Sequence, residues 1–491
     1  MAFDVNIDRI HRSALRILDE IGIALYHPQI IDTLSGFGIR VVGNRAFFNA
    51  AQVEQWLAKA PAEFTLHARN PTKSVTIGGD NTVCSSGYGC ATVINRDGSR
   101  REGTLSDYLN FLRLVHQTPN LQLNGGILIQ PRDTPPQTSH LSILYSALRF
   151  SVECLVCQPG SESEVTRLME LMSIASGGLE PFMSTPKTIA FISTISPLKI
   201  DQMALETMLV SARYRQPMLI SPAPAAGTTG PINLAGNLAM ATAEALAAIV
   251  IAQILAPGIP MVMGINCTGA DMRTGNISIG TPALALQLRY NTALARRYGI
   301  PSRGGGALTD AQIVSAQSGY ESMLNLMAGF ENRVNLMVHS AGILDSFAGI
   351  SYDKFLMDLE MIEMVKYARD EIRIDTEADL SFETLRDCAQ SGQFLTAPET
   401  LQRCRSHSWI PRIGVRGAFG GQAYEAVLMK GIDKTMAAML ADYRLPPLPT
   451  ERVAAMRDYL RDCGLDEQTL AAIDEAAALH ATADSNAFRA A

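Results

Sequence analysis

Residues 217–266 read PMLISPAPAAGTTGPINLAGNLAMATAEALAAIVIAQILAPGIPMVMGIN. Two short apolar runs, PMLISP (217–222) and PMVMGIN (260–266), enclose a Gly/Pro-rich turn and a long stretch of helical composition, LAMATAEALAAIVIAQILA (238–256). Such a pattern is a βαβ unit, because parallel strands need a crossover of a dozen or more residues, usually a helix. The most apolar part, LAAIVIAQIL (246–255), is about ten residues long, half of what a bilayer span needs. It reads as a buried core helix.

The same unit recurs on both sides. Strand candidates upstream are CATVIN (90–95), LQLNGGILI (121–129), ECLVCQ (153–158) and TIAFIST (188–194); downstream come PSRGGG (301–306) and VNLMVHS (334–340). Helical periods fall between them, from SDYLNFLRLVHQ (106–117) to YDKFLMDLEMIEMVKYARDEI (352–372). Eight strand–helix pairs in about 280 residues predict an α/β fold, a TIM (β/α)8 barrel over 90–373. An open doubly wound sheet is the alternative, but its GxGxxG fingerprint is missing after the first strand. Residues 1–89 alternate helical and strand-like pieces, with a helical stripe at Ile10, Leu15, Ile17, Leu18 and Ile21, and form an N-terminal α+β extension. Residues 374–491 change to helical period between Pro- and Gly-rich turns, a helical C-terminal region with a frayed tail.

Composition narrows the class. The 491 residues are 47% hydrophobic, so a disordered or fibrous chain is excluded. Only 18% are charged, below the usual quarter, which points to extensive burial and a homo-oligomer. The net charge is −7 and no Lys/Arg run occurs, so no nucleic-acid partner is expected. The N-terminus is charged from Asp4 onward and has no apolar signal region, giving a cytoplasmic protein with no membrane partner. Eight unclustered cysteines fit a reducing compartment. Cys154 and Cys157 form a CxxC within a predicted strand, where residues three apart face opposite sides, so no metal or redox role is expected.

In a barrel, the chemistry sits at the carboxyl ends of the strands. Those ends carry Gln158, Ser193, Thr194, Ser221, Asn266, Ser302 to Gly306, His339 and Ser340, few of which titrate. His339 is the one group there able to move a proton near neutral pH, and so the catalytic candidate; a structural hydrogen-bonding role is the alternative. The run Arg303-Gly304-Gly305-Gly306 reads either as a backbone anion cradle or as a tight turn needing positive φ. Tyr88, Phe191, Tyr320, Phe347 and Tyr352 lie near the predicted mouth, and each ring facing a quaternary ammonium contributes roughly 0.5–2 kcal/mol. No HExxH and no Cys/His pair at ligand spacing occurs, so no metal is expected.

The segment 221–264, with its AGTTGPINLAG element, resembles the trimethylamine methyltransferase family, in the branch of glycine betaine and other quaternary-amine methyltransferases that lack pyrrolysine. GTLSDYLNFLRLVHQTPN (103–120), STISPLKID (193–201), TDAQIVSAQSGYE (309–321), MDLEMIEMV (357–365) and FLTAPETLQRCRSHSWIPRI (394–413) extend the similarity along most of the chain. The resemblance implies a TIM barrel that moves a methyl group from a methylated amine to Co(I) of a separate corrinoid protein. This chain has no DxHxxG motif, so no cofactor is bound tightly and the corrinoid arrives on that partner. It departs from the family at Gln312 and Ser315, where Lys and Asp are common.

A quaternary amine such as glycine betaine leaves as a neutral amine and needs no general acid, which suits a site poor in titrating groups. The expected substrate-binding set is Tyr88, Gln158, Asn266, Arg303, Gly304, Gly305, Tyr320, Phe347 and Tyr352, with Arg303 pairing a substrate carboxylate. Two other readings stand beside it: a non-catalytic barrel binding betaine or the corrinoid partner, and a phosphate-substrate lyase or isomerase using the glycine run.

Overall fold

The computed structural model describes residues 2–417 and 424–480; the tail expected to fray, 481–491, lies outside the described residues. Eight parallel strands carry the architecture: β1 (Val83–Cys84), β2 (Leu123–Asn124), β3 (Cys154–Cys157), β4 (Thr188–Ser193), β5 (Met218–Ser221), β6 (Met261–Met263), β7 (Arg303–Gly305) and β8 (Leu336–Val338). A helix follows each: α1 (Leu105–His116), α2 (Ser139–Phe150), α3 (Glu162–Ser176), α4 (Gln202–Arg213), α5 (Leu234–Leu255), α6 (Pro282–Arg297), α7 (Ala316–Glu331) and α8 (Tyr352–Arg369).

The strands form a five-stranded parallel sheet, β6-β5-β4-β3-β2, and a three-stranded one, β7-β8-β1. Single parallel bridges, Ser85 to Leu123 and Met263 to Ser302, join the two sheets at both seams. Each strand therefore neighbours the next in sequence, without the reversal that marks a doubly wound sheet.

Alternation sets the inside. Val83, Leu123, Cys154, Val156, Ile189, Phe191, Leu219, Val262 and Leu336 pack into one cluster with Phe64, Leu66 and Ile77 of an antiparallel hairpin, Glu63–Leu66 with Val75–Gly78. Cys157, on the opposite face from Cys154, joins the cluster outside, as the strand period requires.

One strand assignment is corrected. CATVIN does not begin the parallel set: Thr92–Ile94 lies in a separate four-stranded sheet, beside Arg100–Glu102 and Gly349–Ile350. The first parallel strand is the two-residue Val83–Cys84, too short and too closely followed by Ser85 and Ser86 to register as an apolar run. Likewise only Leu123 and Asn124 of LQLNGGILI are strand; Gly126, at φ +82°, turns the chain away.

The apolar helix is longer than its core suggested. α5 runs 22 residues from the Asn233 cap, whose side chain accepts from the Ala235 and Gly236 N–H groups. By length and hydropathy it could cross a membrane, yet 94% of its most apolar window is buried. Ile7, Ile10 and Ala14 of the N-terminal helix Ala2–Arg16 cover it, together with Val53 and Trp56 of Ala50–Leu57. The predicted stripe breaks at one place. A π turn, Ile17–Ile21, rotates the face, so Leu18 is buried while Ile21 is 52% exposed. Beyond α8, Tyr424–Asp442 packs on α1 and α8, Thr450–Asp462 on α3, and Glu467–Ala478 on α2.

Candidate active site

At the carboxyl ends of the strands the inward face turns polar, and several buried atoms there have no partner among the described residues. Ser85 Oγ after β1, Asn266 Oδ1 after β6 and Arg303 Nε on β7 are all sealed from solvent and unpaired among the described residues. Such atoms are uncommon in folded proteins, and a group of them at one mouth marks a place where a ligand supplies the missing bonds.

Arg303 is the centre of the group. Its side chain points inward and the residue is 2% exposed. Nη1 donates to Ser221 Oγ at 3.3 Å, and the guanidinium carbon lies 5.5 Å from the ring centre of Phe191. Its backbone oxygen accepts from Asn291 Nδ2 at 2.6 Å. Gly264 leaves room for the aliphatic stem, since a Cβ there would come within 2.9 Å of Arg303 Cδ. No carboxylate pairs with Arg303 among the described residues. Burial alone pulls its pKa down from 12.5 to about 10, which still leaves the group charged at neutral pH.

His339 follows β8 with φ +62°, a left-handed conformation uncommon outside glycine, in which asparagine, aspartate and histidine are the enriched exceptions. Its Nδ1 accepts from the Tyr88 N–H at 3.3 Å, which assigns any ring proton to Nε2. Burial, and then the charge of Arg303, hold its pKa well below 6.5, so the imidazole is neutral at physiological pH. Its ring centre lies 4.8 Å from that of Phe347 and 6.3 Å from that of Tyr88. Tyr88 in turn stacks on Phe191 at 5.0 Å. Phe347 is presented by three consecutive residues of positive φ, Asp345, Ser346 and Phe347. Strain of this kind persists only where the surroundings impose it.

Arg303, His339, Tyr88 and Phe347 thus converge, and Asn266 is placed at the end of β6 with its side-chain oxygen unsatisfied. Gln158 stands at the end of β3 beside a small cavity that it shares with Gly126 and His140. The other expected residues are elsewhere. Tyr320 is 65% exposed on α7. Tyr352 stacks on Phe111 of α1 at 4.2 Å and donates to Asp107 Oδ1 at 3.0 Å, so it packs the helical layer.

Gly304 and Gly305 form neither a cradle nor a positive-φ turn. They are residues of β7, paired in register with β8, and the Gly306 N–H donates to Val338 O at 2.8 Å. Crowding is what requires glycine. A Cβ on Gly304 would meet Leu288 at 2.6 Å, and one on Gly305 would meet Leu308 at 2.2 Å.

Phe191 and Ser221, the two side chains that touch the Arg303 guanidinium, fall outside the expected binding set. The period-two alternation of β4 and β5 was the signal available for them, since Ile189 and Leu219 share their face.

A family model described as trimethylamine methyltransferase (MTTB) matches residues 3–463. A glycine betaine methyltransferase of Desulfitobacterium hafniense (strain Y51) is 37% identical over 459 residues, covering 93% of this chain and 96% of that protein. An L-carnitine:corrinoid methyltransferase of Eubacterium limosum is 25% identical over 79% of this chain and 82% of its own. A trimethylamine methyltransferase of Desulfitobacterium hafniense (strain DSM 10664 / DCB-2) is 24% identical over 94% and 93%. Among solved structures, the hydroxylamine complex of MtmB aligns with a TM-score of 0.52 at 12% identity, covering 94% of this chain and 87% of that one, a likeness of fold.

Proposed function

The chain belongs to the trimethylamine methyltransferase family, and on that premise we propose that it transfers a methyl group from a betaine to the Co(I) of a corrinoid carried by a separate protein. The corrinoid is a substrate here, presented at the mouth by its own carrier. We read the two parallel sheets, bridged at both seams, as one (β/α)8 barrel whose first strand is Val83–Cys84, so that the N-terminal extension ends just before it. We place it free of any membrane, because the one helix among the described residues long and apolar enough to span one is jacketed by the extension.

The observation that carries the reading is the buried Arg303, which has no carboxylate partner among the described residues. A cation withdrawn from water without an anion is strongly destabilising, so its retention argues that a ligand provides the anion. A betaine does so with its carboxylate. Its ammonium then lies toward Tyr88, Phe191 and Phe347, where ring faces attract a cation. A protonated His339 would repel that ammonium. Burial and Arg303 keep it neutral, and its Nε2–H is left to position substrate.

The reaction is displacement at a methyl carbon: the C–N bond breaks, its electron pair stays on nitrogen, and the amine departs neutral. No proton has to move, which is why a mouth with one neutral imidazole suffices. Positive charge is dispersed from nitrogen toward the methyl acceptor along the path, so a dry site favours the transition state over a ground state that concentrates it. Tight cation binding would oppose this by stabilising the ground state. A cage of a few rings is therefore suited to weak binding.

The test follows absorbance as the Co(I) of a cognate corrinoid protein is consumed, with each candidate at equal concentration. At least one betaine should be turned over, and trimethylamine, dimethylamine and methylamine should not. Trimethylamine reacting as fast as the best betaine would overturn the leaving-group argument. Betaine binding without any turnover would mean a binding protein rather than an enzyme.

A further inference from the structure

At the opposite pole of the strands from Arg303, a cavity of about 310 Å3 opens between the 67–74 loop that joins the hairpin strands, the amino end of β3 and the ends of α2 and α3. Arg69 from the hairpin, Lys187 just before β4 and Arg452 from the C-terminal helix Thr450–Asp462 all line it, over an apolar wall that includes Leu148, Leu155 and Met172. Three segments distant in sequence thus bring three cations to one concave space.

The one carboxylate on the lining is engaged through Oε2, while its Oε1 is sealed and accepts no hydrogen bond among the described residues. Glu153 accepts from Ser151 Oγ, meets His116 Nδ1 at 3.0 Å and lies 3.5 Å from Lys73 Nζ. Arg69 spends one nitrogen on Ser151 O at 2.8 Å, but its Nη1 is sealed from water with no acceptor. Arg452 reaches only a carbonyl, Ala175 O at 3.3 Å. None of the three cations pairs with a carboxylate among the described residues. Burial holds Arg69 down to about 10, and His67, on the same lining, is pushed below its ordinary value by burial and by Lys187. The three cations of the lining thus outnumber its one carboxylate, Glu153.

We propose that this cavity is a second ligand site, distinct from the mouth, for a small organic anion with an apolar body: anionic oxygens meet Arg69 and Lys187, and the body rests on Leu148, Leu155 and Met172. The volume is at the small end of ligand sites. Occupancy would join the hairpin, β3 and the C-terminal helix, so the bound anion stabilises the fold by mass action and takes no part in methyl transfer.

Isothermal titration of the full chain with hexanoate, hexyl phosphate, acetate and inorganic phosphate tests this. One of the two hexyl compounds should bind at least about tenfold more tightly than its short counterpart, and the preferred head group identifies the ligand as carboxylate or phosphate. Arg69→Met should weaken that binding by about tenfold or more, the loss of a charge-assisted hydrogen bond, and leave methyl transfer at the wild-type rate. Lys187→Met carries the same test should Arg69→Met fail to fold. Arg303→Met should leave hexyl-anion binding unchanged. The proposal fails if the short anions bind as well as the hexyl ones, if none binds, or if Arg303→Met abolishes binding that Arg69→Met and Lys187→Met leave intact.

Discussion

Arg303 keeps a full charge in a place where the protein offers it one hydroxyl and one ring face. Replacing such a group with an apolar side chain of similar length removes a desolvation penalty, so Arg303→Met should stabilise the ligand-free protein by about 1–4 kcal/mol. The same change should raise KM for the betaine more than it lowers kcat, since a carboxylate remote from the reacting carbon is held alike in ground and transition states. Thermal unfolding with and without betaine checks the first, as a higher ligand-free Tm and a smaller upward shift on adding betaine, and steady-state turnover checks the second. A ligand-free Tm below wild type would mean that the charge is compensated within the fold. His339 supplies a pH signature. Its folded pKa lies well below 6.5, so below that pH the unfolded chain takes up a proton that the folded one refuses. Its contribution is complete above pH 6.5 and is lost as pH falls below it, by up to about 1.4 kcal/mol per unit. His339→Asn, tolerant of the left-handed backbone, should remove this slope and retain methyl transfer within about tenfold. A fall of 10²–10⁴ with loss of a pH–rate limb would instead mean general acid–base catalysis.

At the scale of elements, β7 and α8 fix the mouth. The Gly304–Gly306 run lies so close to Leu288 of α6, to Leu308 and to Ser340 after β8 that side chains are excluded, and the neighbours differ in how far they can yield. A Cβ on Gly304 meets the flexible end of Leu288, whereas one on Gly306 meets backbone, Ser340 Cα at 2.5 Å. Gly304→Ala should cost about 1–3 kcal/mol by denaturant unfolding. Gly306→Ala should cost more and also depress methyl transfer, because Ser340 adjoins His339. Equal effects on stability and none on turnover would show that β8 can shift without disturbing the site. Behind these strands, α8 buries an ion pair, Lys354 with Asp358. Lys354 Nζ donates to Ala307 O at 3.3 Å and Asp358 accepts from the Gly342 N–H at 2.8 Å, tying together the segments that follow β7 and β8.

For the whole molecule, the N-terminal extension has a physical task that its own residues do not announce. α5 has no solvent-facing polar stripe, its few polar residues such as Glu244 and Gln253 being buried too, and a helix of that kind must be buried all round. The neighbouring strands cover one side, and Ile7, Ile10 and Ala14 cover another. Deleting residues 2–16 should therefore expose a contiguous apolar face and convert the protein to aggregates. Sedimentation velocity reads this directly, and a monodisperse, folded species would show that the rest of the extension suffices.

The sequence by itself determined the alternation of short apolar strands and amphipathic helices, and with it the parallel α/β plan, because periods of two and of 3.6 are properties of the local backbone. It also located the polar mouth at the strand ends and singled out Arg303, His339, Tyr88 and Phe347. Only the tertiary structure decided which residues near that mouth share a space. Tyr352 and Tyr320 have the right chemistry, but the one stacks on Phe111 and the other faces solvent. Phe191 and Ser221 reach Arg303 across strands more than eighty residues apart in the chain. The same holds for the glycines, which look like an anion cradle in one dimension and are needed for close packing in three. Local pattern carries the period of an element; the distance between elements, and so which charge stays unpaired, is fixed only when they pack.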